Sequence, residues 1–170
     1  SRAVLSHTLS ALHASAPEAA IQVVIHPDDK DLYNDCLSNL EPQALVRMQA
    51  PVFGGATRQE SVRLGLEALG KLTPPEIVLI HDAARPFVDN DIVERAIKAA
   101  QTYGASAPGV VLTDTVKQVD SELMVVATPE RQFLRAVQTP QAFQFPVILD
   151  AHRKAADNHR EYTDDAMIAE

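Results

Sequence analysis

A chain of 170 residues, 46% hydrophobic and 22% charged, has the composition of a soluble globular domain with a core of its own, and no apolar run approaches the ~20 residues of a membrane-spanning helix. Its net charge of −8 argues against nonspecific binding to nucleic acid or an anionic membrane, since both favour a basic surface; a phosphorylated ligand still fits wherever a few Arg and Lys converge. Cys36 is the only cysteine, so a disulfide framework is excluded and a reducing, cytoplasmic setting is expected.

Ser1 opens directly on a helical pattern, which implies that part of the natural N-terminus is missing, and with no initiator Met or basic-plus-apolar leader no targeting signal is visible. Val4, Leu5, Thr8, Leu9 and Leu12 have helical spacing, so residues 3–14 read as an amphipathic helix. Ile21 to Ile25 is a β-branched run that reads as a strand, ended by Pro27. Asp28 or Asp29 caps a helix to about Asn39, and Ala44 to Met48 is a further short strand candidate. Residues 51–56 form a loop containing Gly54-Gly55, and Thr57 with Glu60 matches a capping box. Val62, Leu66 and Leu69 carry the stripe of the helix that follows. Pro74-Pro75 precedes the strand Ile77–Ile80. Asp89 to Asp91 caps another helix, which Gly104 stops.

This alternation predicts a mostly parallel, doubly wound α/β sheet covered on both faces. After Gly104 the texture changes. Val110–Leu112, Val116–Val119 and Met124–Ala127 read as short strands, with a turn at Asp120-Ser121-Glu122. They form an inserted β-arm, about residues 112–131. The alternation returns at Arg135–Val137 and in a helix around Pro146–Asn158. Thr163 reads as the N-cap of a last helix. Residues 1–170 make one domain.

The chemistry concentrates at His81-Asp82-Ala83-Ala84-Arg85-Pro86, directly after the strand at 77–80. In an open α/β sheet, ligands sit beyond the carboxyl ends of strands. Asp82 is placed to hold a hard metal or a substrate hydroxyl, and Arg85 to pair a phosphate. The small Ala83 and Ala84 let a ligand approach the backbone. The alternative is an Asp that caps the next turn and pairs with Arg85. Gly54-Gly55, with Arg58 and Ser61 one turn apart on the helix behind it, offers free N–H groups to an anion or a base edge; an ordinary capped surface helix is the competing reading. Thr115 and Lys117 point to one side of a strand and fit an anion, or are simply an exposed strand face. Thr139 stands before Pro140 and presents its hydroxyl at a fixed angle. The six histidines form no H-x-x-x-H pair or Cys/His cluster, which argues against zinc. Cys36 lies in a polar helical segment without a nucleophile motif.

Together these segments resemble one family, the 2-C-methyl-D-erythritol 4-phosphate cytidylyltransferases of the non-mevalonate isoprenoid pathway. The matching stretches are GGATRQESVRLGL at 54–66, HDAARPFV at 81–88, TDTVK at 113–117, ER with QTPQAF at 130–143, and YTDDA at 162–166. The resemblance implies a nucleotide-binding, Rossmann-like fold whose β-arm exchanges between the subunits of a homodimer. It implies transfer of CMP from CTP to methylerythritol phosphate with release of pyrophosphate. Gly54, Gly55, Arg58 and Ser61 then hold the cytidine, Asp82 binds Mg²⁺, Arg85, Thr139 and Thr163 line the acceptor site, and Ala83 is a further substrate-binding residue. Thr115, Lys117 and Arg131, on the arm, reach the partner's site. Asp82, Lys117 and Arg131 are the implied catalytic set.

The family's glycine-rich P-A-A-G-x-G-x-R loop, its P-K-Q segment and its N-I-K-x-T segment have no counterpart in these residues. The resemblance therefore implies little activity for this stretch alone. Some family members are fused to a cyclodiphosphate synthase, of which nothing stands here. Two other readings compete: a nucleotidyltransferase acting on ribitol 5-phosphate or another sugar phosphate, and a non-catalytic nucleotide-binding domain.

Overall fold

The computed structural model describes residues 2–158 and 162–170; Ser1 and His159, both considered above, lie outside them. Helix α1 (Val4–Ser15) leads to β1 (Val24–Ile25), then α2 (Lys30–Leu37) and α3 (Pro42–Val46). Strand β2 (Val52–Phe53) pairs parallel with β1, extending a parallel bridge between Ile21 and Met48. Leu9, Leu40 and Ala44 close a core between α1, α2 and α3, with Ile21 and Val23 packed against it.

Helix α4 (Arg58–Lys71) starts where the sequence says, with the Thr57 side chain accepting the Glu60 N–H. Strand β3 (Ile77–Ile80) and helix α5 (Asn90–Tyr103) follow, the helix capped by Asp89 through the Ile92 N–H and ended by Gly104 at φ 92°. A positive φ at that end favours glycine, which has no Cβ to strain it.

The central sheet follows from the alternation along β3. Val78 and Ile80 pack with Leu66 of α4 and with Phe143 and Ile148. Ile77 and Leu79 point the other way, onto Ala96 and Ala100 of α5. Helices therefore cover both faces, and a strand buried on both faces reads as an unbroken apolar run. Strand β4 (Ala105–Ser106) lies across β9 (Gln141–Gln144) from β3, in the order β3-β9-β4. Strand β9 is antiparallel to both neighbours, so β3 and β4 run parallel around a single reversed strand. Helix α6 (Phe145–Asp157) leaves β9 directly, and α7 (Asp165–Ala169) packs against it. Phe143 and Ile148 are fully buried, each stabilising by about 1.5–3 kcal/mol.

Strand β5 (Gly109–Val111) pairs antiparallel with β8 (Arg135–Val137), and β6 (Gln118–Val119) with β7 (Val125–Ala127). These two ribbons are the arm. Asp120 holds its turn, Oδ1 accepting the N–H groups of Glu122 and Met124 at 2.9 and 3.0 Å.

Two local readings are corrected. Ala44–Met48 is not a strand: Pro42 at the first helical turn starts α3, where its fixed φ is favourable, and only Met48 enters a bridge. Thr163 does not cap α7; Asp164 does, its Oδ1 accepting the Met167 N–H at 2.9 Å.

Candidate active site at the end of β3

The register Ile80↔Gln141 sets the carboxyl end of β3 against the start of β9. Residues 81–85 therefore stand beside Gln138 and Thr139. The Asp82 N–H donates to Thr139 Oγ1 at 3.1 Å, and the Thr139–Pro140 peptide bond is cis. His81 Nδ1 lies 3.1 Å from the same hydroxyl. His81 Nε2 lies 2.9 Å from the Arg85 carbonyl oxygen. Burial pushes the His81 imidazole below its usual value, against the smaller opposing pull of the Arg85 carbonyl and the Asp82 carboxylate.

Asp82 has a guanidinium on each carboxylate oxygen: Arg85 Nε at 2.9 Å from Oδ2 and Arg58 Nη2 at 3.4 Å from Oδ1. Arg85 also reaches Gln138 Oε1. Arg58, the first residue of α4, donates more closely to Asp165 Oδ2, at 2.8 Å. The side chains of Asp165 and His152 are fully buried, and His152 Nε2 donates to Asp165 Oδ1 at 3.0 Å. Burial alone would raise the Asp165 carboxyl; the hydrogen bonds from His152 and Arg58 outweigh it and hold the group below its usual range. Burial likewise opposes the charge of Arg58, and the two carboxylates overcome it. His152 Nδ1 is buried with no hydrogen-bond partner among the described residues.

The Gly54-Gly55 turn folds onto the start of α4. Ser61 Oγ accepts the Gly55 N–H at 3.1 Å and donates to the Thr57 carbonyl at 2.8 Å. A Cβ on Gly54 would stand 2.7 Å from that oxygen, so the close approach requires glycine. Glu60 Oε2 accepts the Ala56 N–H at 2.8 Å, one residue further back than a capping box requires. The Ala83 carbonyl accepts from Thr8 Oγ1 at 2.7 Å, tying α1 to the strand-end loop.

The structure thus brings Arg58, Asp82, Arg85 and Thr139 together, with Gly54, Gly55 and Ser61 at the helix start beside them and Ala83 in the loop. Thr163 is exposed two residues before Asp165, its hydroxyl 3.7 Å from Met167 Sδ. Thr115, Lys117 and Arg131 stay on the arm, where Lys117 Nζ donates to Thr128 Oγ1 at 2.8 Å and Arg131 to the Thr113 carbonyl at 2.5 Å. Sequence reasoning missed Asp165, His152 and Gln141. Gln141, almost wholly buried, donates to Asp164 Oδ2 at 3.1 Å and accepts the Ala166 N–H at 2.9 Å, pinning α7 to β9. His152 left one signal: with Ile148 and Ala155 it falls on the buried face of α6 at helical spacing.

Chemically, the cluster presents cationic groups around one accessible carboxylate. Among the described residues no three His, Cys, Asp or Glu gather into a metal cage, so a divalent ion here would need ligand oxygens as well as Asp82. That is the manner of Mg²⁺, which commonly binds one or two carboxylates and completes its shell with phosphates and water. Both Asp82 oxygens are engaged by guanidinium groups.

A mixed α/β sheet, helices on both faces and a polar site beyond a strand end define a Rossmann-like domain. The family model described as IspD, 2-C-methyl-D-erythritol 4-phosphate cytidylyltransferase, matches residues 1–170, and the chain belongs to that family. It is 52% identical over 170 residues to the bifunctional enzyme IspD/IspF of Rhodopseudomonas palustris strain HaA2, a match that covers 99% of this chain and 41% of that protein. The chain thus spans well under half the length of this relative and corresponds to its IspD part. Among solved structures it resembles the 4-diphosphocytidyl-2C-methyl-D-erythritol synthase of Anaerococcus prevotii, with TM-score 0.87 and 32% identity over 98% of this chain and 70% of that one. It also resembles the 2-C-methyl-D-erythritol 4-phosphate cytidylyltransferase of Thermus thermophilus, with TM-score 0.73 and 34% identity over 99% and 73%.

Proposed function

We propose that this domain transfers CMP from CTP to the phosphate of 2-C-methyl-D-erythritol 4-phosphate and releases pyrophosphate, a step in non-mevalonate isoprenoid synthesis. The observation that carries the reading is Asp82 at the end of β3, set between Arg58 and Arg85 and hydrogen-bonded to Thr139, in a chain of this family. An oxygen of the acceptor phosphate attacks the α-phosphorus of CTP. The bond from that phosphorus to the bridging oxygen breaks, and the electron pair leaves with pyrophosphate. No protein nucleophile is needed; the enzyme holds two anions in line and neutralises the charge that develops.

The chain's own residues divide this work. The Gly54-Gly55 turn and Ser61 receive the cytidine, where N–H groups at the start of α4 and its positive end favour a polar base edge. Arg58, anchored by Asp165 and beside Asp82, helps hold the cytidine with them. Arg85, Thr139 and Thr163 line the acceptor, and Ala83 is a further substrate-binding residue. Asp82 would hold Mg²⁺, whose charge would screen the triphosphate oxygens.

The arm supports a homodimer. Val111 is 61% exposed, Val126 57% and Phe133 77%, apolar side chains that a partner subunit would cover. Lys117, Arg131 and Thr115 would then enter the partner's site. The lone Cys36, buried and unpaired, agrees with a cytoplasmic setting.

Asp82→Asn tests the central group. The full-length variant should keep the wild-type circular dichroism and lose at least about a hundredfold of Mg²⁺-dependent pyrophosphate release. Unchanged release would remove Asp82 from the mechanism.

A further inference from the structure

His81 has no part in the reaction just described, yet it touches two residues that do. Donor and acceptor chemistry fixes its protons. The Arg85 carbonyl oxygen can only accept, so His81 Nε2, 2.9 Å away, carries the N–H. In the neutral imidazole Nδ1 is then a lone pair, and the Thr139 hydroxyl 3.1 Å away donates to it. The same Thr139 oxygen accepts the Asp82 N–H. A hydroxyl owns one hydrogen and two lone pairs. The hydrogen and one lone pair are engaged, and one lone pair remains on a half-buried residue at the site.

That residue is a selective contact. A phosphate dianion has no hydrogen to offer the remaining lone pair; a carbon-borne hydroxyl does. A site that pairs a substrate hydroxyl discriminates strongly against analogues lacking it. We infer that His81 is a positioning residue that locks the Thr139 hydroxyl as an acceptor, so that Thr139 reads a hydroxyl of the polyol acceptor while the acceptor's phosphate is left to the arginines. The substrate half of this inference rests on the acceptor being a polyol phosphate, as proposed above; the lock between His81 and Thr139 does not.

Two measurements on the full-length protein separate the halves. Imidazole ¹⁵N NMR of the ligand-free protein should show His81 protonated at Nε2 and not at Nδ1, with the Nδ1 resonance moving in Thr139→Val. A proton on Nδ1 overturns the lock whatever the activity. Steady-state kinetics with CTP, Mg²⁺ and 2-C-methyl-D-erythritol 4-phosphate test the reading of the hydroxyl. His81→Leu should raise the acceptor KM about tenfold and leave the CTP KM within about twofold. His81→Asn, whose amide oxygen can replace Nδ1, should recover most of the loss. His81→Leu with Thr139→Val should be no worse than Thr139→Val alone. Additive losses, or His81→Asn as impaired as His81→Leu, overturn the positioning role. A wild-type protein without turnover overturns the functional reading and the substrate half with it, while the NMR result still decides the lock.

Discussion

Arg58 lies between two carboxylates of unequal burial, and the inequality decides its behaviour. Asp165 is fully buried and 2.8 Å away; Asp82 is a third exposed and 3.4 Å away. A charge-assisted hydrogen bond strengthens as water is excluded, so Asp165 is the stronger of Arg58's two partners. Asp165→Asn should release that anchor, leaving His152 without its charged partner and Arg58 with Asp82 alone. Stability at pH 7 should fall by on the order of 1–3 kcal/mol. The pH dependence has a definite sign. The folded Asp165 carboxyl sits below its usual range, so its contribution is fully present above the unfolded value of about 3.9 and is lost as pH falls through the lowered folded value. The gap in urea midpoint between wild type and Asp165→Asn should therefore narrow on going from about pH 7 to about pH 3. A gap that does not change would show that the pattern of acceptors offered to His152 and Arg58, not the charge, is what the carboxylate supplies.

At the level of elements, chain ends governed by side-chain caps were readable, and elements made by distant partners were not. Thr57, Asp89 and Gly104 each mark a helix end in the sequence and act there in the structure. Thr57→Ala should cost about 1 kcal/mol, seen as a lower urea midpoint with an unchanged m-value; a neutral substitution would mean that Glu60 and Ser61 hold the turn alone. Strand β9 shows the opposite case. Its residues Gln141-Ala142-Phe143-Gln144 carry no alternation that marks a strand, yet the first three are buried. They are strand because β3 and β4 pair with them on either side, and Gln141 is tolerated inside because Asp164 and Ala166 satisfy its amide. The two-residue strand Val52–Phe53 is too short to leave a period. Ala44–Met48 misled because a short apolar run fits a strand or one face of a helix equally well; Pro42 was the overlooked start signal.

In the whole molecule, one register makes the site. Pairing Ile80 with Gln141 carries Thr139 to Asp82 across 57 residues of chain, and α7 brings Asp165 to Arg58 from 107 residues away. Asp82, Arg85 and Arg58 were legible because each sits at a local boundary, a strand end or a helix start. Asp165 and His152 were not, because their role depends on which elements pack together. The arm follows the same logic on a larger scale: among the described residues Lys117 and Arg131 meet only a hydroxyl and a carbonyl oxygen, with no carboxylate, and Val111, Val126 and Phe133 are exposed. Mixing Arg131→Ala with Asp82→Asn subunits of the full-length protein should restore part of the wild-type activity, since one of the mixed sites would have both residues; no recovery would count against shared sites. The most direct test of the central claim is pyrophosphate release by the full-length protein with CTP and Mg²⁺ and a panel of acceptors. Release should depend on 2-C-methyl-D-erythritol 4-phosphate and be far slower with ribitol 5-phosphate; equal or faster release with ribitol 5-phosphate, or none with either, would contradict it.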